Sequence, residues 1–452
     1  MSGRFTAVDY EAALAQTVRL GDCLPPEHLA RFVVDVVAQL DFAPIYARYG
    51  SRGGVAYAPE MLFGLLAYGY ATGVFSSRKL EQATHESAPF RFLAGNLHPD
   101  HDTLAAFRKA FLPELHGLFV QVLLLAQASG VLRLGAISLD GTKIHADASK
   151  SKAVSYQRLL ELETRFKAEV AELFALGEQA DRAMLPDGLV VADELALRQA
   201  RLARLAEAKA VLEARARERD AADQAAYAAK LREREAQARR TGRPPRGKPP
   251  SPPTPGPRDG DQYNFTDPES RVMKNSADQG FGQHYNAQVA VDQASLLLVG
   301  HALSNQPNEQ WGVAPTVASI PPALGTPGAA ALDAGYFGEP NLRALEGRGI
   351  APYIATGREP HHPGWRAYFA AAPGPPPADA SPKEHMAYKL RTTAGKAIYR
   401  LRKCTVAPVI GIIKEVLGFR QFSLRGLAGA AGEWELVCLA WNLKRLHRLI
   451  LG

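Results

Sequence analysis

The sequence has few cysteines and no long apolar run. Its three cysteines, Cys23, Cys404 and Cys438, are scattered, and none forms a CxxC or a Cys/His metal-ligand spacing. Buried thiols in a reducing compartment are therefore the simplest interpretation. The longest apolar stretch, LFVQVLLLAQA at 118–128, falls well short of the roughly 20 residues that a membrane-spanning helix requires.

The N-terminal stretch MSGRFTAVDYEAA lacks a basic patch followed by an apolar run, so we expect no signal peptide and a cytoplasmic protein without a membrane partner. A chain of 452 residues is too long for one ordinary core, which predicts two or three domains. The composition, 46% hydrophobic and 22% charged, is typical of a globular protein. The net charge of +7 suits a polyanionic partner such as nucleic acid, although the signal is weak at this length.

Residues 1–130 are predicted to form a helical DNA-binding or dimerisation region. PEMLFGLLAYGYATG at 59–73 has apolar side chains at helical spacing, and TLAAFRKAF forms a second helix capped by Asp102 or Thr103. Arg108 and Lys109 on this second helix are candidate DNA contacts. They belong either to a helix-turn-helix, in which one helix enters the major groove, or to the solvated face of a helical bundle.

Strand patterns begin at residue 131. LRLGAISLDGTKIHADAS predicts a strand bounded by Gly135 and Gly141, so we assign 131–155 to the first part of an α/β core. GQHYNAQVAVD at 282–292 alternates and is followed by its hairpin partner, LLLVGHALS. AALDAGYF and APYIATG are further short strands, and the core is expected to resume over 261–452.

Residues 156–260 interrupt this core and are predicted to form a helical insertion. Leu159, Leu162 and Phe166 begin a heptad seam, and a second helix follows a turn at MLPDG, residues 184–188. Two antiparallel helices are the simplest arrangement. The Pro- and Gly-rich stretch TGRPPRGKPPSPPTPGPRDG then forms a loop or linker.

The C-terminal part is predicted to be helical. Residues 384–417 have a helical pattern with a break that Pro408 imposes near a helix start. EWELVCLAWNLKRLHRLIL forms an amphipathic last helix, whose Trp434 and Trp441 suit core packing.

Two aspartates are predicted at the ends of apolar strands, Asp140 in ISLDGTKI and Asp333 in AALDAGYF. A carboxylate there projects into the crevice beyond the sheet edge where ligands bind, although an Asp-Gly pair is also an ordinary turn former. Converging carboxylates favour Mg²⁺, and two metals roughly 3.5–4 Å apart can activate a nucleophile and stabilise the leaving oxygen of a phosphodiester. Such a site requires a third acid.

These motifs, together with YNFTDPESRVMKN and the run YRLRKCTVAPVIGIIKEVLGFRQFSLRG, resemble a DDE-type bacterial insertion-sequence transposase. The resemblance spans most of the chain. Within these transposases, the chain resembles the group whose third acid lies in a Tyr-Arg-Glu-Lys signature. It implies an RNase-H-like core, two Mg²⁺ or Mn²⁺ ions per active site, and cleavage and joining of DNA at terminal inverted repeats. The implied partners are double-stranded element ends, target DNA and a second copy of the chain.

The resemblance assigns roles to individual residues. Asp140 and Asp333 match the first two catalytic, metal-binding acids, and Tyr399, Arg402 and Lys414 match the signature. Arg402 and Lys414 suit DNA phosphates, and Tyr399 suits stacking on an extruded base. Three further basic residues are weaker candidates for DNA contact: Lys143, just past the first aspartate, and Arg271 and Lys274 in TDPESRVMKN.

The third acid is absent from its expected place. The family pattern has Val-Glu-Pro-Val where this chain has Val406-Ala407-Pro408-Val409. Glu415 is not expected to substitute, because eight helical residues carry it about 12 Å along the axis. The alanine is either an engineered substitution, which the intact neighbouring motifs favour, or a mark of a decayed natural copy. We therefore expect a transposase that binds DNA but is inactivated for cleavage.

Two rival hypotheses remain. The first is a catalytically dead protein that occupies transposon ends as a natural repressor would, and a natural source sequence carrying Ala407 would support it. The second is a structural coiled-coil protein in which both aspartates are only turn formers. Absence of binding to any duplex DNA at low salt would favour the second.

Overall fold

The computed structural model describes residues 11, 17, 19–50, 55–180, 190–243, 245, 247–275, 280–357, 374–377 and 379–451. The predicted turn at 184–188 and the loop histidines at 361 and 362 lie outside these residues. The chain divides into two compact units. One comprises Met1–Asp147 with His284–Gly452, and the other is Ala148–Gln283.

The first unit begins with helices, as predicted: Leu20–Cys23, Leu29–Val37, Ala43–Tyr46, Pro59–Thr72, Ser77–Glu86, Ala88–Leu93, His101–Ala110 and Leu112–Ala128. Pro59–Thr72 is buried on nearly every side, starts at a proline and ends at Gly73, whose φ of 86° is left-handed. His101–Ala110 is capped by Asp100, whose carboxylate accepts from the amide of Thr103, so the predicted caps Asp102 and Thr103 were wrong.

Among the described residues, no single helix has the length and apolar composition of a membrane span. One pair, His101–Ala110 with Leu112–Ala128, meets that test jointly but is bent by 78°. The second helix of the pair buries Leu118, Phe119 and Leu123 inside the first unit.

Five strands of a mixed sheet lie wholly or mainly in the first unit: β1 (Ala136–His145), β2 (Gly280–Asp292), β3 (Leu298–Ser304), β4 (Ala329–Leu332) and β5 (Ala351–Ile354). Their order is β3-β2-β1-β4-β5. β2 is antiparallel to both of its neighbours, β3 and β1, whereas β4 and β5 run parallel to β1. Every residue of β2 from Gln283 to Asp292 is buried, as expected of an internal strand. The predicted hairpin and both short strands are thus confirmed.

β1 is longer than predicted. It passes through Gly141 and continues to His145, with Gly141 directly opposite Gln288 of β2. A side chain at Gly141 would collide with the Gln288 amide, so the glycine is required by close packing between strands and not by a turn. Asp140 therefore lies within a strand, and its predicted position at a strand end was wrong.

The C-terminal elements of the first unit are the helices Pro382–Arg391, Thr393–Arg400, Arg402–Gly411 and Leu427–Leu451, with a π-helical turn at Ile412–Val416. Pro408 lies inside Arg402–Gly411, so the expected break near a helix start was wrong. The π-helical turn follows within one helical turn of that proline. The last helix buries Trp434 and Trp441, as predicted, and packs on Pro59–Thr72 and Leu112–Ala128.

The second unit is built on two helices, Tyr156–Ala180 and Val191–Thr241. Their pairing is antiparallel, as predicted, because Glu163 pairs with Lys209 while Glu169, further along the first helix, pairs with Arg198. A small core at their base joins the two helices to the strand pair Ala153–Ser155 and Gln262–Asn264; its members are Val154, Leu159, Phe166, Leu205, Ala208, Leu212 and Tyr263. The Pro-rich coil is tied to the long helix by Arg219, which donates to the carbonyl of Gly256.

Candidate active site

Asp140 and Asp333 are brought level by neighbouring parallel strands. Ser138 of β1 is in register with Ala331 of β4, and each aspartate follows two residues further along its own chain segment. Side chains two residues apart on a strand share a face, and neighbouring strands lie about 4.8 Å apart. The two carboxylates therefore meet where β4 ends.

Backbone hydrogen bonds orient both carboxylates. Asp333 caps a 3-10 turn, Ala334–Tyr336, called the Asp333 turn here, and its Oδ1 accepts from the amide of Gly335 at 2.9 Å. Oδ1 of Asp140 accepts from the amide of Gly141, also at 2.9 Å. The second oxygen of each side chain is left for other partners.

The charge of one carboxylate disfavours the charge of the other. Burial raises the pKa of Asp140, and the negative charge of Asp333 raises it further. The Gly141 amide and the Arg402 guanidinium act in the opposite direction without cancelling that rise. A pair of acids with this mutual repulsion is suited to binding a cation.

Arg402 and Tyr399 approach the first aspartate from the C-terminal helices. Arg402 Nη1 donates to Asp140 Oδ2 at 3.2 Å, and its guanidinium lies over the Tyr399 ring at 5.9 Å from the centroid. The helix carrying Arg402 is fixed against β1 by Thr405, whose hydroxyl donates to Ser138 Oγ at 2.7 Å. The structure therefore brings two of the three signature residues to Asp140.

Lys414 reaches the same strand further along. Its Nζ donates to Thr142 Oγ1 at 3.1 Å and to the carbonyl of Lys143 at 3.3 Å. Thr142 lies two residues after Asp140 and shares its face of β1. Lys143, which is half-buried, lies opposite Asn286 of β2.

Ala407 is exposed on the helix Arg402–Gly411. It precedes Lys414 by seven residues, and the π-helical turn Ile412–Val416 begins between them. Two acids that follow Ala407 in the chain are engaged elsewhere. Glu415 is exposed and pairs with Arg420, while Glu433 accepts from Tyr70.

One acid near the two aspartates was missed by the sequence analysis. Glu309 begins a second 3-10 turn, Glu309–Gly312, called the Glu309 turn here, which packs against the Asp333 turn. Burial and the charge of Asp140 raise the pKa of Glu309, Lys143 lowers it and Asp333 raises it. The stretch SNQPNEQ has only the polar character of a loop, so no local signal marks this glutamate.

Arg108 and Lys109 have different surroundings. Arg108 is buried, and its Nη1 donates to the hydroxyl of Tyr70 at 2.8 Å and lies 3.7 Å from Glu433 Oε1. Its expected contact with DNA is therefore corrected, because the guanidinium is held in the interior. Lys109 is exposed and lines a groove with Asp147 and Arg425.

Arg271 and Lys274 lie in the second unit, on the strand Arg271–Asn275. Arg271 donates to the carbonyls of Pro268, Glu269 and Ser270, which holds its guanidinium against its own turn.

Two protein-family models match the chain. One, described as Transposase domain (DUF772), covers residues 18–110, and the other, described as Transposase DDE domain, covers residues 377–447. Comparisons with curated proteins and with solved structures each returned no match. The second match includes Arg402 and Lys414. Both models describe transposase domains, and together they support assignment of the chain to the DDE-type insertion-sequence transposases.

Proposed function

We propose that the protein is a DNA transposase that binds the terminal inverted repeats of its element through an RNase-H-like core. The main observation in support of this proposal is that Asp140 and Asp333 lie side by side, one on β1 and the other just after the parallel strand β4. Arg402 of the matched DDE segment pairs with Asp140. A sheet of three antiparallel strands continued by two parallel ones supports the RNase-H-like assignment.

The residues at this site fit a hard divalent cation. The donor set is carboxylate oxygen, which Mg²⁺ and Mn²⁺ prefer, and the repulsion between the carboxylates is what a cation relieves. Asp140 and Asp333 would hold the metals. Bound metals in two-metal sites supply an activated nucleophile and stabilise the leaving oxygen of a phosphodiester.

The protein's own side chains position the DNA in this proposal. Arg402 and Lys414 bind phosphates beside the scissile bond, and Tyr399 stacks on a base next to it. Lys109 extends the phosphate-binding surface along its groove, and Lys143, Arg271 and Lys274 remain proposed contacts. Two copies of the chain hold the two element ends on the nucleoid DNA and carry out strand transfer into target DNA.

Ala407 favours a second candidate function. Without a carboxylate at this position, cleavage is weak and the chain occupies transposon ends as a repressor. Both candidates predict that DNA binding persists, because it depends on basic residues.

DNA binding is tested by titrating the protein into a duplex with the element's terminal repeat and into a scrambled duplex, without metal, at two salt concentrations. We expect tighter binding to the terminal repeat and affinity that falls as salt rises. Equal weak binding to both duplexes at every salt concentration would contradict both candidates and favour the structural coiled-coil alternative.

A further inference from the structure

We propose that His116, His301 and Glu435 form a binding site for Zn²⁺ or a chemically similar transition-metal ion, separate from the two aspartates. The three side chains come from three elements of the first unit: the helix Leu112–Ala128, β3 and the last helix, Leu427–Leu451. Their ligand atoms all lie within 4.8 Å of one another. A bound ion would join these elements at one point. This inference does not depend on the proposed function.

The Glu435 carboxylate contacts both imidazole rings. His116 Nδ1 donates to Glu435 Oε1 at 2.7 Å, and His301 Nε2 lies 3.4 Å from the same oxygen. Nitrogen and oxygen ligands of one tetrahedral Zn²⁺ are about 3.4 Å apart. The spacing of His301 and Glu435 already fits this value, and His116 needs to withdraw by less than about 1 Å. The His116 side chain is 53% exposed, so it has room for this movement.

His301 has a buried nitrogen that the hydrogen bonds of the protein leave unused. Its Nε2 has no hydrogen-bond partner among the described residues, and the side chains of His301 and Glu435 are only 11% and 10% exposed. Leaving such an atom without a partner costs free energy. The competing interpretation is a simple ion pair between His116 and Glu435. It leaves His301 Nε2 unexplained, whereas a metal ion would accept the lone pair of this nitrogen.

Packing fixes the orientation of the His301 ring. The ring lies edge-to-face against Phe119, with centroids 4.9 Å apart and planes at 87°. Phe119 is fully buried and lies three residues after His116, on the same face of the helix. The last helix packs against both this helix and β3, which brings Glu435 to the two histidines. The ligands are therefore held by regular elements before any ion binds.

The donor set distinguishes this site from the proposed catalytic one. Two imidazole nitrogens and one carboxylate suit Zn²⁺ with water in the fourth position, whereas Mg²⁺ prefers oxygen ligands alone. The two sites are also separated in the sheet. His301 pairs with Val289 of β2, which pairs in turn with Asp140 of β1. The backbones of His301 and Asp140 are thus two strand spacings, or about 10 Å, apart.

Metal binding by the full-length, untagged, DNA-free protein tests the site. Zn²⁺ affinity is measured by competition with a chromogenic chelator, and the visible absorption of added Co²⁺ reports tetrahedral coordination. The ligand variants are His116→Gln, His301→Gln and Glu435→Gln. The matched control is His385→Gln, at an exposed helix position. Asp333→Asn separates the two proposed metal sites.

We expect the parent, His385→Gln and Asp333→Asn to bind the first Zn²⁺ with equal affinity. Each ligand variant should bind it at least tenfold more weakly and lose the tetrahedral Co²⁺ spectrum. His116→Gln changes a half-exposed side chain, so it decides the matter if the two buried variants do not fold.

Two results would overturn the inference at once: no Zn²⁺ binding by the parent, or parental Zn²⁺ binding by His116→Gln. Loss of Zn²⁺ binding in Asp333→Asn with parental binding in the three ligand variants would place the ion at the aspartates, and would overturn the inference as well.

Discussion

Arg402 Nη1 donates to Asp140 Oδ2 at 3.2 Å, which joins two residues 262 positions apart in the chain. The arginine lies within the matched DDE segment, whereas the aspartate lies outside both matched segments. This contact therefore links the matched DDE segment to Asp140. It makes β1 part of the candidate active site, together with the C-terminal helices.

Asp333→Asn is predicted to stabilise the metal-free protein. Asparagine retains the oxygen that caps the Asp333 turn but removes the charge that opposes Asp140. We expect the free energy of unfolding to rise by about 1 kcal/mol, which corresponds to a few degrees in the thermal midpoint. Added Mn²⁺ should reverse the order, because only the parent gains stability from the ion. Calorimetry with and without Mn²⁺ checks both, and a lower midpoint for the metal-free variant contradicts the account.

Arg108→Gln is predicted to change stability, and Lys109→Gln is predicted to change DNA binding. Arg108 lies in the interior beside Tyr70 and Glu433, so Arg108→Gln should lower the free energy of unfolding, measured in urea, by about 3 kcal/mol. Lys109 is exposed, so its loss should leave stability unchanged and reduce the salt dependence of DNA binding by about one phosphate contact. A stable Arg108→Gln protein with weakened DNA binding would show that the guanidinium leaves the interior to reach DNA.

The contact between His116 and Glu435 predicts a pH-dependent stability. The hydrogen bond to Glu435 raises the pKa of His116. Burial alone would raise the pKa of Glu435, but the hydrogen bond from His116 and the nearby His301 ring lower it. The histidine contribution is therefore complete below its unfolded pKa of about 6.5 and lost as pH rises through the raised folded value. The glutamate contribution is complete above its unfolded pKa of about 4.3 and lost as pH falls through the lowered folded value.

His116→Gln should accordingly destabilise the protein more at about pH 6 than at about pH 9. Urea unfolding at both pH values measures the difference, with His385→Gln, at an exposed helix position, as the control. Equal destabilisation by His116→Gln at the two pH values would exclude a charged pair.

The outer part of the helical insertion is predicted to support dimerisation. Removing 167–200 and closing the chain with a short glycine turn is feasible, because the Arg201 guanidinium lies 5.7 Å from the Phe166 ring centroid. The base cluster stays intact, and the exposed apolar residues Phe174 and Leu197 are lost. Light scattering should report a monomer for the deletion variant and the proposed dimer for the parent chain. A dimer of unchanged strength would remove this role from the insertion.

Elements set by local patterns were predictable from the sequence. The buried helix Pro59–Thr72, the β2–β3 hairpin and the antiparallel insertion each follow from spacing that is visible in one short stretch. The errors come from distant contacts. Gly141 resembles a turn residue until β2 places Gln288 against it, and Arg108 resembles a surface charge until Glu433 packs beside it. Glu309 comes near the two aspartates through packing of its turn against the Asp333 turn, which no local pattern reveals.

Cleavage of a duplex carrying the element's terminal repeat, with Mn²⁺, is the most direct test of the central claim. The comparison uses the parent chain, Ala407→Glu, and Ala407→Glu combined with Asp333→Asn. We predict that Ala407→Glu raises the cleavage rate by at least tenfold and that the added Asp333→Asn change abolishes the gain. Equal cleavage by the parent and Ala407→Glu would contradict the account, because another residue would then already complete the catalytic site.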